Sequence, residues 1–298
     1  MLRRNLKSVL EFQFMHTKTY SSDRISLTFI CLFIFSGLSA QPYVDPFQVR
    51  YTYAFRNSNS PATPYTHIWA GSDLPIKLKE NTYLLLSPFY DQWRIDSASK
   101  EEIYPVVRSL AFPVGLILPF KDSKWSITIV PIFRWNGEEL FGQKTFQFGG
   151  PMFLSYERRP KQKFRLGVYM NAEFFGLFVV PLFGCDWKID DKNYLFGLLP
   201  GRLTYEHKLT KSFYWGSTFR AITTSYRLLN GQYLRLDDNQ LSLYLDYYPL
   251  KWLCITLEPG YGIARQIRTG TNNRDYLTDQ KWGDGMFIKI SSAYRIRL

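Results

Sequence analysis

Apolar and polar residues alternate one by one along most of the chain. In Phe47–Arg56, Phe47, Val49, Tyr51, Tyr53 and Phe55 share one parity, and Gln48, Arg50, Thr52, Ala54 and Arg56 share the other. A period of two puts successive side chains on opposite faces of a β-strand. The same pattern runs through Trp125–Asn136, with tryptophan at both ends of the apolar face, and through Phe164–Phe174, where Phe164, Leu166, Val168, Met170, Ala172 and Phe174 alternate with Arg165, Gly167, Tyr169, Asn171 and Glu173. It closes the chain in Met286–Leu298, where Lys289, Ser291, Arg295 and Arg297 lie opposite Met286, Ile288, Ile290 and Tyr294.

Further strands are predicted over His67–Lys79, Thr82–Asp96, Tyr104–Phe120, Phe146–Arg158, Tyr194–His207, Phe213–Leu228, Gln240–Tyr248 and Lys251–Arg268. Pro105, Pro113 and Pro119 make bulges the expectation in Tyr104–Phe120, because proline cannot donate to a ladder. Connections fall into two groups. Short ones are Glu80-Asn81, Lys121–Lys124, Arg159–Lys163, Lys208–Ser212 and Pro249-Leu250; longer ones are 57–66, 97–103, 137–144, 229–239 and 269–285. Short turns on one side and long loops on the other are the habit of outer-membrane barrels, whose ends both lie on the short-turn side and whose strand number is therefore even. Phe164–Ile189 reads as one long, bulged strand, since a break at Gly176 makes the number odd. The expectation is an antiparallel up-and-down transmembrane β-barrel of about 12 strands, with 10 or 14 as the alternatives.

A soluble barrel could show the same alternation with its faces exchanged. Strands longer than the soluble norm, aromatic residues near strand ends and a chain that stops inside its last strand favour lipid outside. The abundance of Phe, Tyr and Trp, 24, 21 and 8 residues, suits interfacial girdles. Ile25–Ala40 is the only long apolar run, and with Arg24 before it and Ser39-Ala40 at its end it has the length and flanks of a secretory signal rather than of a spanning helix. Residues 1–40 are thus expected to be removed, with Met1 or Met15 as the start, leaving 41–298 as one barrel domain. The net charge is +12, and only a small part of it leaves with the signal. No basic block dominates, so nucleic acid is not the expected partner. The expected partners are outer-membrane lipid and the barrel-assembly machinery, with a small solute as a further candidate.

One stretch carries a resemblance. Ala40-Gln41, Phe174-Phe175-Gly176, Pro181–Ile189 (PLFGCDWKI), Phe196–Pro200 (FGLLP) and Leu203–Leu209 (LTYEHKL) resemble a family of uncharacterised outer-membrane β-barrel proteins from the Bacteroidota. The likeness is strongest over 164–227. It implies fold and location, and supplies no catalytic residues.

Candidate chemistry is sparse. Cys185 and Cys254 stand in strand patterns and are expected to be unpaired small residues. No Cys/His ligand cluster, phosphate loop or nucleophile elbow is present, so no metal, cofactor or catalytic residue is assigned. His67, near Ser72 and Asp73 at a strand end, is the sole hint of a rim enzyme acting on lipid, and the two residues have opposite parity. Asn272, Asn273, Asp275, Asp279 and Asp284 make one loop acidic without matching a calcium motif. The informative set is the polar parity. Arg50, Arg56, Lys77, Arg134, Arg165, Arg202, Arg220, Lys289, Arg295 and Arg297 are expected to face the lumen with Tyr169, against Asp73, Glu157, Glu173, Glu206, Asp246 and Glu258. A lumen so biased favours small anions if it is open. The expectation is a non-enzymatic barrel, a narrow pore or binding barrel for small anionic solutes; a closed scaffold with partner-binding loops is the alternative.

Overall fold

A computed structural model describes residues 42–56, 64–79, 81–96, 104–272 and 275–298. The expected signal segment, 1–40, lies outside the described residues, as do 57–63 and 97–103 of two long loops and Asn273 of the acidic one.

The described chain is all β. Its strands are β1 (Tyr43–Ala54), β2 (Tyr65–Gly71), β3 (Leu74–Lys79), β4 (Thr82–Leu86), β5 (Phe89–Ile95), β6 (Val107–Pro119), β7 (Trp125–Ile129), β8 (Ile132–Gly137), β9 (Phe146–Arg159), β10 (Gln162–Glu173), β11 (Gly176–Lys188), β12 (Asn193–Leu199), β13 (Arg202–Lys208), β14 (Phe213–Arg227), β15 (Tyr233–Leu250), β16 (Leu253–Gly270), β17 (Tyr276–Gln280) and β18 (Gly285–Arg297). Four consecutive pairs, β2–β3, β4–β5, β7–β8 and β17–β18, are single staves interrupted by a bend, so the wall has 14 antiparallel staves. The last closes on the first, with Tyr43 opposite Arg297 and Ala54 opposite Phe287. Closure leaves no sheet edge at that seam, which is what a sheet in hydrocarbon requires.

Two bends sit at prolines, Pro88 and Pro131. There the ladder continues around the interruption, for Ser87 N–H donates to the Pro113 carbonyl and Val114 N–H to that of Pro131, at 3.1 and 2.9 Å. The irregularity expected within Tyr104–Phe120 is therefore borne by its neighbours, while β6 stays continuous.

Fourteen staves exceed the preferred count because two hairpins are hidden in the sequence. Glu173 pairs with Gly176, so Phe174-Phe175 is a tight turn and Phe164–Ile189 is two strands rather than one. Leu198 pairs with Arg202, so Tyr194–His207 turns at Pro200-Gly201. Each hairpin adds one strand and the number stays even. The second needs close backbone approach at Gly197, which has φ of 135° and where a Cβ would lie 2.2 Å from the Arg202 carbonyl oxygen. At the opposite end of the barrel the turn at Asp190–Asn193 is held by the Asp190 carboxylate. It accepts from the Asn193 side chain and from the backbone N–H of Lys192 and Asn193 at 2.7–2.8 Å, and these donors keep its pKa below the usual aspartate value.

The faces fall as the alternation predicts. Leu166 and Met170 are 68% and 45% exposed on the outer surface, whereas Asn171 and Glu173 on the same strand are 2% and 5% exposed and point inward. An apolar exterior around a polar interior is the arrangement of a membrane barrel.

Candidate functional site

The interior has three levels. At the end where β1 begins and β18 stops, Arg295 donates to both oxygens of Asp45 at 2.6 and 2.8 Å and to Asp246 at 2.6 Å. Arg297 grips Glu206 with two bonds of 2.7 and 3.0 Å and lies 3.4 Å from the Tyr214 ring centre. Tyr43 and Tyr248 pack against these pairs, and a cavity of about 40 Å³ lies between Tyr43, Asp45, Asp246 and Arg295 below and Arg50, Arg202 and Arg220 above. Paired charges of this kind fill and stiffen a barrel without conducting.

At the other end the upper half of β14 parts from β13 beyond Arg220 and turns inward across the mouth, while β15 stays paired with it and with β16. The anchor is Glu173. Its carboxylate accepts from Arg134 at 2.9 Å, Gln147 at 3.0 Å, Asn171 at 2.6 Å, the Ser225 hydroxyl at 2.5 Å and the Ser225 N–H at 3.1 Å. The Asn136 amide adds a bond to the Ser225 carbonyl at 3.0 Å. Across the lumen, Tyr226 donates to Asp91 at 3.0 Å. Leu234 and Leu236 then bury themselves among Tyr65, Trp93, Trp282 and Phe287. Trp282 belongs to the segment 269–285 that reads as the longest loop. It is 2% exposed and stacks on Tyr65 at 5.0 Å, so this part of the segment is a wedge in the plug.

Between floor and plug lies a chamber of about 680 Å³, within the ordinary range of a small-molecule site. Arg134, Arg165 and Lys289 line it but are neutralised, by Glu173, Asp186 and Glu258 respectively. Arg50, Arg202 and Arg220 line it too, and among the described residues none of them has a carboxylate at ion-pairing distance. Arg50 donates to Gln48 at 3.0 Å and lies over Trp69 at 4.8 Å. Arg202 donates to Thr204 and to the Tyr43 hydroxyl at 3.1 and 3.2 Å. Arg220 has a buried Nε with no partner among the described residues. Arg202 and Arg220 are direct cross-strand neighbours, an arrangement that costs stability unless an anion lies near. Two acids line the same space: Asp186, taken up by Arg165, and Asp91, the acceptor for Tyr226. Asp91 alone is left to set against the three guanidinium groups that have no ion pair.

The remaining residues of the polar parity scatter. Tyr169 lines the chamber, half-buried. Arg56 is exposed past the end of β1, Lys77 is half-buried on β3, Asp73 is exposed in the bend after β2, and Glu157 is exposed near the β9–β10 turn, 4.0 Å from Lys163. His67 is 7% exposed and stacked on Trp93 at 3.8 Å. It lines the chamber rather than a solvent-facing rim, and Ser72 stands in the bend beyond its strand. Cys185 and Cys254 are both free. Asp279 of the acidic loop is paired with Arg268 at 3.0 Å.

Strict alternation misses several interior groups. Asp45 shares parity with the outward Phe47, yet a register shift between Val44 and Phe47 turns it inward to Arg295. Arg265, 2% exposed and bound to Asp238 at 2.9 Å, lies beyond Ala264, whose φ of 51° marks a bulge that reverses the parity of β16. For Asp186 the signal is different. The stretch Gly176–Lys188 is apolar on both parities, and the inward Phe178, Val180 and Leu182 face the chamber.

No protein-family model and no curated protein matches the chain. Solved structures do align with it. An outer-membrane channel from Pseudomonas putida F1 covers 88% of this chain and 98% of its own at 8% identity, with a TM-score of 0.46. The NanC porin covers 84% and 100% at 8% identity and a TM-score of 0.38. The P. putida toluene transporter TodX covers 90% and 94% at 11% identity and a TM-score of 0.37. The likeness is one of fold. The barrel itself is established by its own strand pairing and closure.

Proposed function

We propose that this chain is a non-enzymatic bacterial outer-membrane barrel that binds a small organic anion in its central chamber. The observation that carries the reading is the set of three guanidinium groups, Arg50, Arg202 and Arg220, around a cavity of about 680 Å³, none of which has a carboxylate at ion-pairing distance among the described residues. A buried cation without a counter-charge is costly, and a carboxylate, sulfonate or phosphate ester supplies what the wall withholds. The packed floor and plug support a binding barrel with gated passage over a permanently open pore. The apolar outer surface and even stave number support the outer membrane. Export through the leader, insertion by the barrel-assembly machinery and a Bacteroidota source complete the proposal.

Calorimetry in non-ionic detergent tests it with two probes of similar shape, benzoate and benzamide. Benzoate is expected to bind at least about tenfold more tightly, a difference of about 1.4 kcal/mol. Arg220→Gln and Arg50→Gln should each remove most of that preference while the protein keeps its heat-resistant fold on a gel. Equal binding of both probes, or benzoate binding untouched by both variants, overturns the reading.

A further inference from the structure

The chamber meets the wall of the barrel at a gap. The hairpin β12–β13 is short, and β11 pairs with β12 only from Phe183 to Lys188. Above that, Gly176–Leu182 pairs with β10 on one side and with no strand on the other among the described residues. On the far side of the gap, β13 reaches β14 only as far as Arg220. Upper β14 then runs inward, meeting β15 and, at Arg227 alone, β8. Ala221 N–H to the Pro200 carbonyl, at 3.2 Å, closes the gap below, and Phe174 N–H to the Ser225 hydroxyl, at 3.0 Å, closes it above. The result is a window bounded by β11, β14, the Pro200-Gly201 turn and the Phe174-Phe175 turn.

Two features say what the window faces. Leu177 and Val179, 64% and 50% exposed, stand beside it on the outer surface, as does Met170 on β10, so its β11 side lies in the apolar band. Unpaired strand backbone at membrane depth is tolerated only where it lines a wet cavity, and the chamber behind is that cavity. The inner rim is apolar, with Phe178, Val180 and Leu182 on β11 and Ile222 on β14. A lumen meant only for water-borne ions has no use for this lining. Behind it come the cations.

We propose that this window is a lateral entrance through which a single-chain anionic amphiphile passes between the membrane and the chamber, its head group on Arg50, Arg202 and Arg220 and its chain along Phe178, Val180 and Leu182. This rests on the anion-binding reading above and adds the route and the ligand class. An acyl carboxylate dissolved in the bilayer is the source that the window's place in the apolar band favours.

The test uses the full-length barrel in nanodiscs and a long-chain alkyl carboxylate carrying a diazirine near its tail. After photolysis, labelled peptides are mapped by mass spectrometry. Label is expected on the inward residues of 176–182 and of 220–224. A neutral alcohol of the same chain length should label the chamber about tenfold less. Val180→Trp and Ala221→Trp, two obstructions on opposite sides of the window, should each cut chamber labelling about tenfold while the barrel keeps its heat-resistant band on a gel. Label confined to outward residues such as Leu177 and Val179, or chamber label unaffected by both obstructions, overturns the lateral route. In either case benzoate binding that still depends on Arg220 leaves the anion-binding reading standing. Loss of benzoate discrimination removes that reading and the ligand assignment with it.

Discussion

Replacing Arg295 with methionine is expected to lower barrel stability by about 3–5 kcal/mol, the cost of breaking a buried ion pair from one side. Arg295 is 3% exposed, and three bonds of 2.6–2.8 Å tie it to Asp45 and Asp246. Its guanidinium also lies 3.7 Å from the Tyr43 ring centre. Without it two carboxylates remain close together in the floor with their counter-charge gone. The bonds join β18 to β1 across the closing seam and to β15, so their loss loosens the barrel where it shuts. The compact band of the unheated protein should convert to the unfolded band at a markedly lower temperature. Adding Asp45→Asn and Asp246→Asn should recover much of the loss, because neutralising a buried cluster is far cheaper than orphaning part of it. An unchanged conversion temperature for Arg295→Met contradicts the account of the floor.

Glu173→Ala is expected to release the plug. Five hydrogen bonds converge on this carboxylate, and two of them come from Ser225 on β14. Hydrogen bonds to a charged group contribute about 1.5–3 kcal/mol each, and removal also leaves Arg134 without its partner. The upper halves of β14 and β15 should then lose their hold on β10, while Leu234 and Leu236 still favour burial. The mouth becomes an equilibrium between shut and open. In planar bilayers the wild type should be nearly silent, and Glu173→Ala should show open events with anion preference, since Arg50, Arg202 and Arg220 remain. Ser225→Ala, which removes only one of the five bonds to Glu173, along with the two that its hydroxyl accepts from Gln147 and the Phe174 N–H, should open less often. Identical conductance in wild type and Glu173→Ala contradicts the anchoring role.

The barrel was legible in the sequence because its outer face has to be continuous. Lipid admits no polar interruption across a strand, so β1, β10 and β18 print a clean period of two. The interior obeys a looser rule. Asp45 and Arg265 are misplaced by strict parity because one bulge shifts every later side chain to the other face. The turn at Phe174-Phe175 lacks the usual turn residues before Gly176. It is fixed by tertiary contacts, with Phe175 1% exposed beneath Arg235 at 4.1 Å. The Pro200-Gly201 turn carries an ordinary breaker signal, but the two strands it joins have only 7 residues each, so together they have the length of one long strand. Arg50, Arg202 and Arg220 stand among ten basic residues of the same parity, and alternation gives no means of separating them from the paired ones. Only the strand order shows which cations have an acid across the lumen.

The whole account requires that ionic residues look inward and apolar ones meet acyl chains. Site-directed spin labelling along β10, from Phe164 to Glu173 in a background with Cys185→Ser and Cys254→Ser, measures this directly. In liposomes, labels at 164, 166, 170 and 172 should be open to oxygen and shielded from a water-soluble nickel complex. Labels at 165, 171 and 173 should be markedly less open to oxygen. An accessibility wave of the opposite phase, with the nickel complex reaching 166 and 170 and oxygen favouring 165 and 171, would place the apolar face in a core and leave neither membrane barrel nor chamber.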